Sequence, residues 1–289
     1  MRPFDRVSLQ PLVGIERATL NKSHTGFGRP LFPVSAPLLE SFGLKFSPGG
    51  AHISRTMMLS ELEAVLAAVP IGSSPEDYRA AVLGRNVLAK TTDSTRRKTL
   101  RHMRELYALD EAVPVFGLLR KLQAVDHGPS LPLLAIQIAW CRDPLLRATT
   151  QPVLDAAVGD RVERASLVQA FEAAFPNQYS AATLKTTTQN AASSWTQAGH
   201  LTGHLKKIRQ QVKPTPVAVT MALYLGQIAG YHGVEVFASP WVRLLDLGAD
   251  RARALAQEAH RAGLLDLRAV GEVVDLSFPM LDMFKGTSA

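Results

Sequence analysis

Between Ser180 and Lys213 the chain reads SAATLKTTTQNAASSWTQAGHLTGHLKKIRQQVK, and no other stretch narrows the possible folds as much. Ser180 is a good helix N-cap. Leu184, Ala191, Trp195 and Ala198 recur at helical spacing, which stacks them on one face. Trp195 shares that phase and reads as core rather than as a stacking platform. The opposite face carries Lys185, Thr186, Gln189, Asn190, Ser193, Thr196 and Gln197, polar and without an acid. Gly199 and Gly203 end the helix, and a basic hairpin candidate follows with Lys206, Lys207 and Arg209. A long helix packed on one side, polar on the other and backed by a cationic flap predicts a helical domain with a small β appendage.

The surrounding order strengthens that expectation. Residues 143–158 and 164–175 read as two helices, and Pro176-Asn177-Gln178-Tyr179 makes the turn into the long one. The order then recurs, with helices over 217–229, 240–247 and 250–262, the last capped by Asp250. Alternating residues over 264–268 and 272–278 around Gly271 mark a β-hairpin. Three helices and a hairpin, twice over, is the winged-helix order. Upstream, helices are expected from Met57 to Pro70, from Ser74 to about Ala89, over 93–108, over 115–125 and over an apolar segment ending near Cys141. Ser74-Pro75-Glu76-Asp77 is a strong helix start. Residues 1–50, rich in Pro and Gly, show neither periodicity and read as an irregular arm. The predicted fold class is mainly α, an N-terminal helical domain followed by two winged-helix-like units with short β-hairpin wings. The boundaries are 1–50, 51–141, 142–213 and 214–289.

Charge separates the two copies. The formal net charge is +7, which favours polyanionic partners. Its distribution is more informative, because no Asp or Glu occurs between Ala173 and Val234. The second copy is mixed, with Arg251, Arg253, Glu258, His260 and Arg261 on its third helix and Asp266, Glu272 and Asp275 in its hairpin. Phosphates would be repelled there. The first copy is therefore expected to contact double-stranded DNA, and the second to serve structure or partner binding. Lys185, Thr186, Gln189, Asn190 and Ser193 would face the groove, where Gln and Asn can pair with adenine. Lys206, Lys207 and Arg209 would hold phosphates. The helix over 95–108 adds a cationic face of Arg97, Lys98, Arg101 and Arg104 that extends the footprint.

Other chemistries find little support. The chain has no phosphate loop, HExxH or GxSxG motif, and its carboxylates form no acid/base pair. His200 and His204 are close, but no Cys or carboxylate stands near to complete a metal shell. Cys141 is the only cysteine, which excludes an intrachain disulfide. No catalytic residue, metal or cofactor is expected. The apolar segments near 131–140 and 217–228 are too short to span a bilayer, and no secretory h-region opens the chain. The expectation is a cytoplasmic protein without membrane contact.

Two stretches, GRNVLAKTTDSTRRKTLRHMRELYALD at 84–110 and SLVQAFEAAFPNQYSAATLKTTTQNAASSWTQAGHL at 166–201, resemble the BrxA family of BREX phage-defence systems. The first is similar in its Asn-x-Leu, Ser/Thr-rich turn and Arg-containing helix. The second is similar in its Phe-containing helix, its Ser/Thr-rich turn into a long helix and its closing Ala-Gly-His-Leu. The resemblance covers roughly residues 50–205. It implies a mainly helical, non-enzymatic, double-stranded DNA-binding accessory protein whose partners include other subunits of a defence system. An adaptor within such a complex, or a winged-helix transcriptional regulator, are the other readings.

Overall fold

A computed structural model describes residues 32–126, 129–270 and 273–281. The fold is mainly α with two small antiparallel hairpins. Its first half comprises α1 (Ala36–Ser41), α2 (Leu59–Ala68), α3 (Pro75–Arg79), α4 (Asp93–Tyr107), α5 (Pro114–Val125) and α6 (Leu131–Arg142). Then come α7 (Pro144–Ala148), α8 (Thr150–Leu154), α9 (Arg164–Ala174) and α10 (Ala181–Gln197). Strands β1 (Leu201–Thr202) and β2 (Ile208–Arg209) follow, then α11 (Pro216–Ile228), α12 (Pro240–Leu244), α13 (Ala249–Arg261), β3 (Asp266–Val270) and β4 (Val273–Ser277).

Side-chain caps account for the starts of five helices among the described residues. Ser74 and Asp77 form a reciprocal capping box with Pro75 just inside the helix. Thr92, Asp143, Ser180 and Thr215 accept from backbone N–H groups at the starts of α4, α7, α10 and α11. Where tertiary packing competes, the boundaries move. The single helix expected over 143–158 is two short ones, joined at Thr149. Pro152 has no N–H to continue the α7 ladder, and the Thr149 hydroxyl instead donates to Leu146 O and accepts from Trp195 Nε1. The helix starting at Ser74 passes into a π turn over Ala80–Gly84 rather than reaching Ala89, and Asn86 then turns the chain with φ +49°. Gly248, not Asp250, is the cap of α13; Asp250 lies in its first turn.

One continuous apolar cluster runs from Phe32 to Leu281 and includes residues of every helix from α2 to α13, while Leu145, Phe171, Phe175 and Leu184 form a smaller one. The N-terminal arm joins the larger one. Residues 1–31 lie outside the described residues, but α1 shows that the segment to residue 50 is not wholly irregular. Phe32 packs edge-on to Trp140 of α6 at 6.1 Å and against Trp241 of α12 at 5.4 Å, so the arm ties the first and last segments together.

The β3–β4 hairpin forms in the expected region, pairing Asp266 with Ser277 through to Val270 with Val273; its turn at Gly271 lies outside the described residues. Arg268 stands directly opposite Asp275, which offsets part of the acidity expected of this hairpin. The first hairpin has a third edge. Residues 159–162 pair with β2 through Gly159 N to Arg209 O, Arg209 N to Asp160 O and Val162 N to Lys207 O, at 3.0, 2.8 and 2.9 Å. No helix among the described residues is long and apolar enough to cross a membrane.

Candidate nucleic-acid interface

Helix α10 is the centre of the site. Leu184, Thr187, Thr188, Ala191, Ala192, Ser194 and Trp195 are buried, so one face is committed to the core as its periodicity requires. Lys185, Thr186 and Gln189 are exposed and Ser193 half-exposed. The Thr186 and Ser193 hydroxyls donate back to Ala182 O and Gln189 O at 3.1 and 2.9 Å. What they present outward is therefore acceptor lone pairs. Lys185 and Gln189 are the side chains left to donate. Asn190 is turned away from the exposed face: its Nδ2 donates to His52 O at 2.9 Å. It positions a neighbouring segment instead.

The hairpin sorts its three cations by depth. Lys206 is exposed. Lys207 is held sideways, donating to Thr196 Oγ1 at 2.9 Å and Gly203 O at 2.8 Å, and burial lowers its pKa. Arg209 is buried, paired with Asp246 and donating to His200 O and Gln210 O. The expectation that Arg209 holds phosphate is corrected: alternation along a two-residue strand sends it inward, where Asp246 meets it. His200 is also buried, its Nε2 donating to Leu244 O at 2.7 Å, while His204 is exposed. They do not form a pair, and no group of three metal-ligating side chains occurs among the described residues. Burial, partly offset by the bond to Leu244, pushes His200 down to about 4.

The cationic face of α4 divides as well. Lys98 and Arg101 are exposed. Arg97 is exposed but held by Asp93, Nε to Oδ2 at 2.6 Å. Arg104 is half-buried and reaches Pro75 O at 3.3 Å, on the flank facing α3. On the other flank stands a cation that sequence reasoning missed. Arg55, half-exposed, lies close enough to His102 that its charge, after burial and Arg101, opposes protonation of that ring. Its guanidinium donates to Ser54 O at 2.9 Å. Nothing in its sequence context marks it; only packing brings it beside α4.

The segment holding Arg55 lies between α4 and α10. Tyr107 Oη of α4 donates to Met57 O. From α10, Gln197 accepts from Leu59 N and donates to Thr56 Oγ1, at 3.3 and 3.1 Å. Beneath it, His52 Nδ1 meets Asp143 Oδ2 at 2.7 Å and His52 Nε2 meets Ser194 Oγ at 2.8 Å. These are the distances of a Ser–His–Asp relay. All three side chains are buried, however, and Ser194 Oγ also accepts from Met57 N at 2.7 Å and lies 3.0 Å from Asn190 O. Asp143 Oδ1 caps α7, and a Cβ at Gly50 would fall 2.3 Å from it. With no open face for a substrate, the trio acts as a clamp that fixes residues 50–57 on α7 and α10. Burial works to raise the Asp143 carboxyl, but the His52 charge and hydrogen bonds outweigh it and hold the group below its ordinary value.

The result is an exposed α10 face with the segment holding Arg55 along one side and the hairpin holding Lys206 along the other, while Lys98 and Arg101 are exposed on α4. Glu163, at the foot of the hairpin's third edge, is answered by Arg161 at 3.0 Å. No protein-family model matches the chain, and no curated protein shows significant similarity to it.

Proposed function

We propose that this chain is a double-stranded DNA-binding, non-enzymatic accessory protein, with α10 as the recognition helix of a winged helix-turn-helix. The observation that carries the reading is the acid-free exposed face of α10, bordered by Arg55 of the 54–58 segment on one side and Lys206 of the hairpin on the other. The order α7–α8, edge 159–162, α9, α10, β1, β2 supports a winged-helix unit, with its wing widened by the 159–162 edge. A helix of this kind fits the major groove, while cations on either side meet the phosphates. The order α11, α12, α13, β3, β4 supports a second unit. Its mixed charge, with His260 beside Asp266 and Arg268 opposite Asp275, suits packing or partner contact better than phosphate. Service in a BREX-like defence system, and other subunits of it as partners, rest on the resemblance of residues 84–110 and 166–201.

Fluorescence anisotropy of a labelled duplex, titrated with the full chain across salt, tests the reading. About five phosphate contacts, from Arg55, Lys98, Arg101, Lys185 and Lys206, predict an affinity loss of roughly five-hundredfold between 50 and 200 mM salt. An unchanging affinity would rule the electrostatic footprint out.

A further inference from the structure

Leu205, at the tip of the first hairpin, is 89% exposed, more than any other large apolar side chain named as exposed among the described residues. A solvated turn gains nothing from a leucine there. The turn that carries it is tightly closed. Gly203 has φ +89°, and a Cβ on it would fall 2.2 Å from Lys206 O, so only glycine closes the loop so tightly. Lys207 Nζ braces the loop from inside, bonded to Gly203 O and to Thr196 Oγ1 of α10. The tip is thus fixed relative to the α10 face, and the residues on either side of Leu205, His204 and Lys206, are exposed.

We propose that Leu205 is an apolar wedge that enters the minor groove and separates one base step of the duplex contacted by α10, bending it. The proposal rests on the DNA-binding reading above. A helix seated in the major groove puts a hairpin packed on its flank over the neighbouring backbone, and the hairpin tip at the groove beyond. Lys206 then meets the phosphates at the groove edge while Leu205 covers the exposed base faces. Apolar wedges of this type kink duplexes by roughly 20–90°.

The test uses the full chain and duplexes that carry 2-aminopurine at successive positions and a fluorophore pair at their ends. Wild type should raise 2-aminopurine emission several-fold at one step and shorten the end-to-end distance. Leu205→Ala should keep the salt dependence of binding but lose both signals, and Leu205→Met should retain them. Binding by wild type without unstacking or bending, or a Leu205→Ala variant that unstacks and bends as wild type does, overturns the wedge and leaves the DNA-binding reading standing. Failure to bind any duplex overturns both.

Discussion

Arg209, at the end of the first hairpin, forms an ion pair with Asp246, just past α12, and the two side chains are only 3% and 10% exposed. The pair joins the hairpin after α10 to the turn after α12. Asp246 Oδ2 also accepts from Val212 N at 3.1 Å, so the carboxylate holds the segment leading to α11 as well. A cation that the sequence assigns to a phosphate is instead an internal fastening.

Removing one partner strands a buried charge. Arg209→Ala or Asp246→Ala should each destabilise the chain by about 3–5 kcal/mol, and the Arg209→Met, Asp246→Leu double variant by less than the sum. Urea denaturation of the four proteins checks this. Equal losses in the double variant and the sum of the singles would mean the two side chains do not act as a pair.

The acid limb of stability should carry the mark of His200. Its folded value, about 4, lies below that of the unfolded chain, so the unfolded state takes up a proton that the folded state refuses. That contribution is complete above the unfolded value of about 6.5 and is lost as pH falls toward 4, with a slope approaching ~1.4 kcal/mol per pH unit. His200→Gln keeps a donor for Leu244 O and should flatten this limb. Asp143 acts in a lower window: its depressed carboxyl contributes stability above the unfolded value near 3.9 that disappears as pH drops through the folded one. Denaturation midpoints measured from pH 7 to pH 3 would separate the two.

The clamp under Arg55 is open to direct test. Ser194→Ala leaves Met57 N and a His52 ring nitrogen without their partner and should cost about 1–3 kcal/mol. Hydrogen exchange should quicken locally over residues 50–59. A uniform rise across the chain, with no local excess, would contradict the clamp.

Cys141 should behave as an inert thiol. It is fully buried beside Trp241 Nε1, and burial pushes its pKa up to about 12. A chromogenic disulfide reagent at neutral pH should leave it unmodified until urea unfolds the chain, then titrate one thiol. Prompt reaction of the folded protein would show that the α6–α12 packing opens.

Duplex binding should depend on the exposed cations and not on the inward ones. Arg55→Ala, Lys98→Ala, Arg101→Ala and Lys206→Ala should each lower the salt slope by about one and weaken all duplexes alike, whereas Gln189→Ala should matter only where sequence is read. Asn190→Ala should affect binding through the position of residues 52–59, visible as a loss of thermal stability that Gln189→Ala does not share.

Sequence alone determined the helices and much of their faces. Caps at Ser74 and Ser180 and apolar spacing along α10 are local signals, because a helix repeats every 3.6 residues whatever it packs on. The acid-free span around α10 and the presence of a hairpin over 264–278 were legible too, being patterns within one stretch of sequence. Tertiary structure decided which polar groups face water. Asn190, Arg209 and His200 turn inward only because His52 O, Asp246 and Leu244 O, each far along the chain, are there to receive them. Arg55 joins the surface only because Tyr107, Gln197 and Ser194 hold its segment between two helices. A buried polar side chain must find a partner, and where that partner lies is a property of the packed chain, not of the residues beside it in sequence.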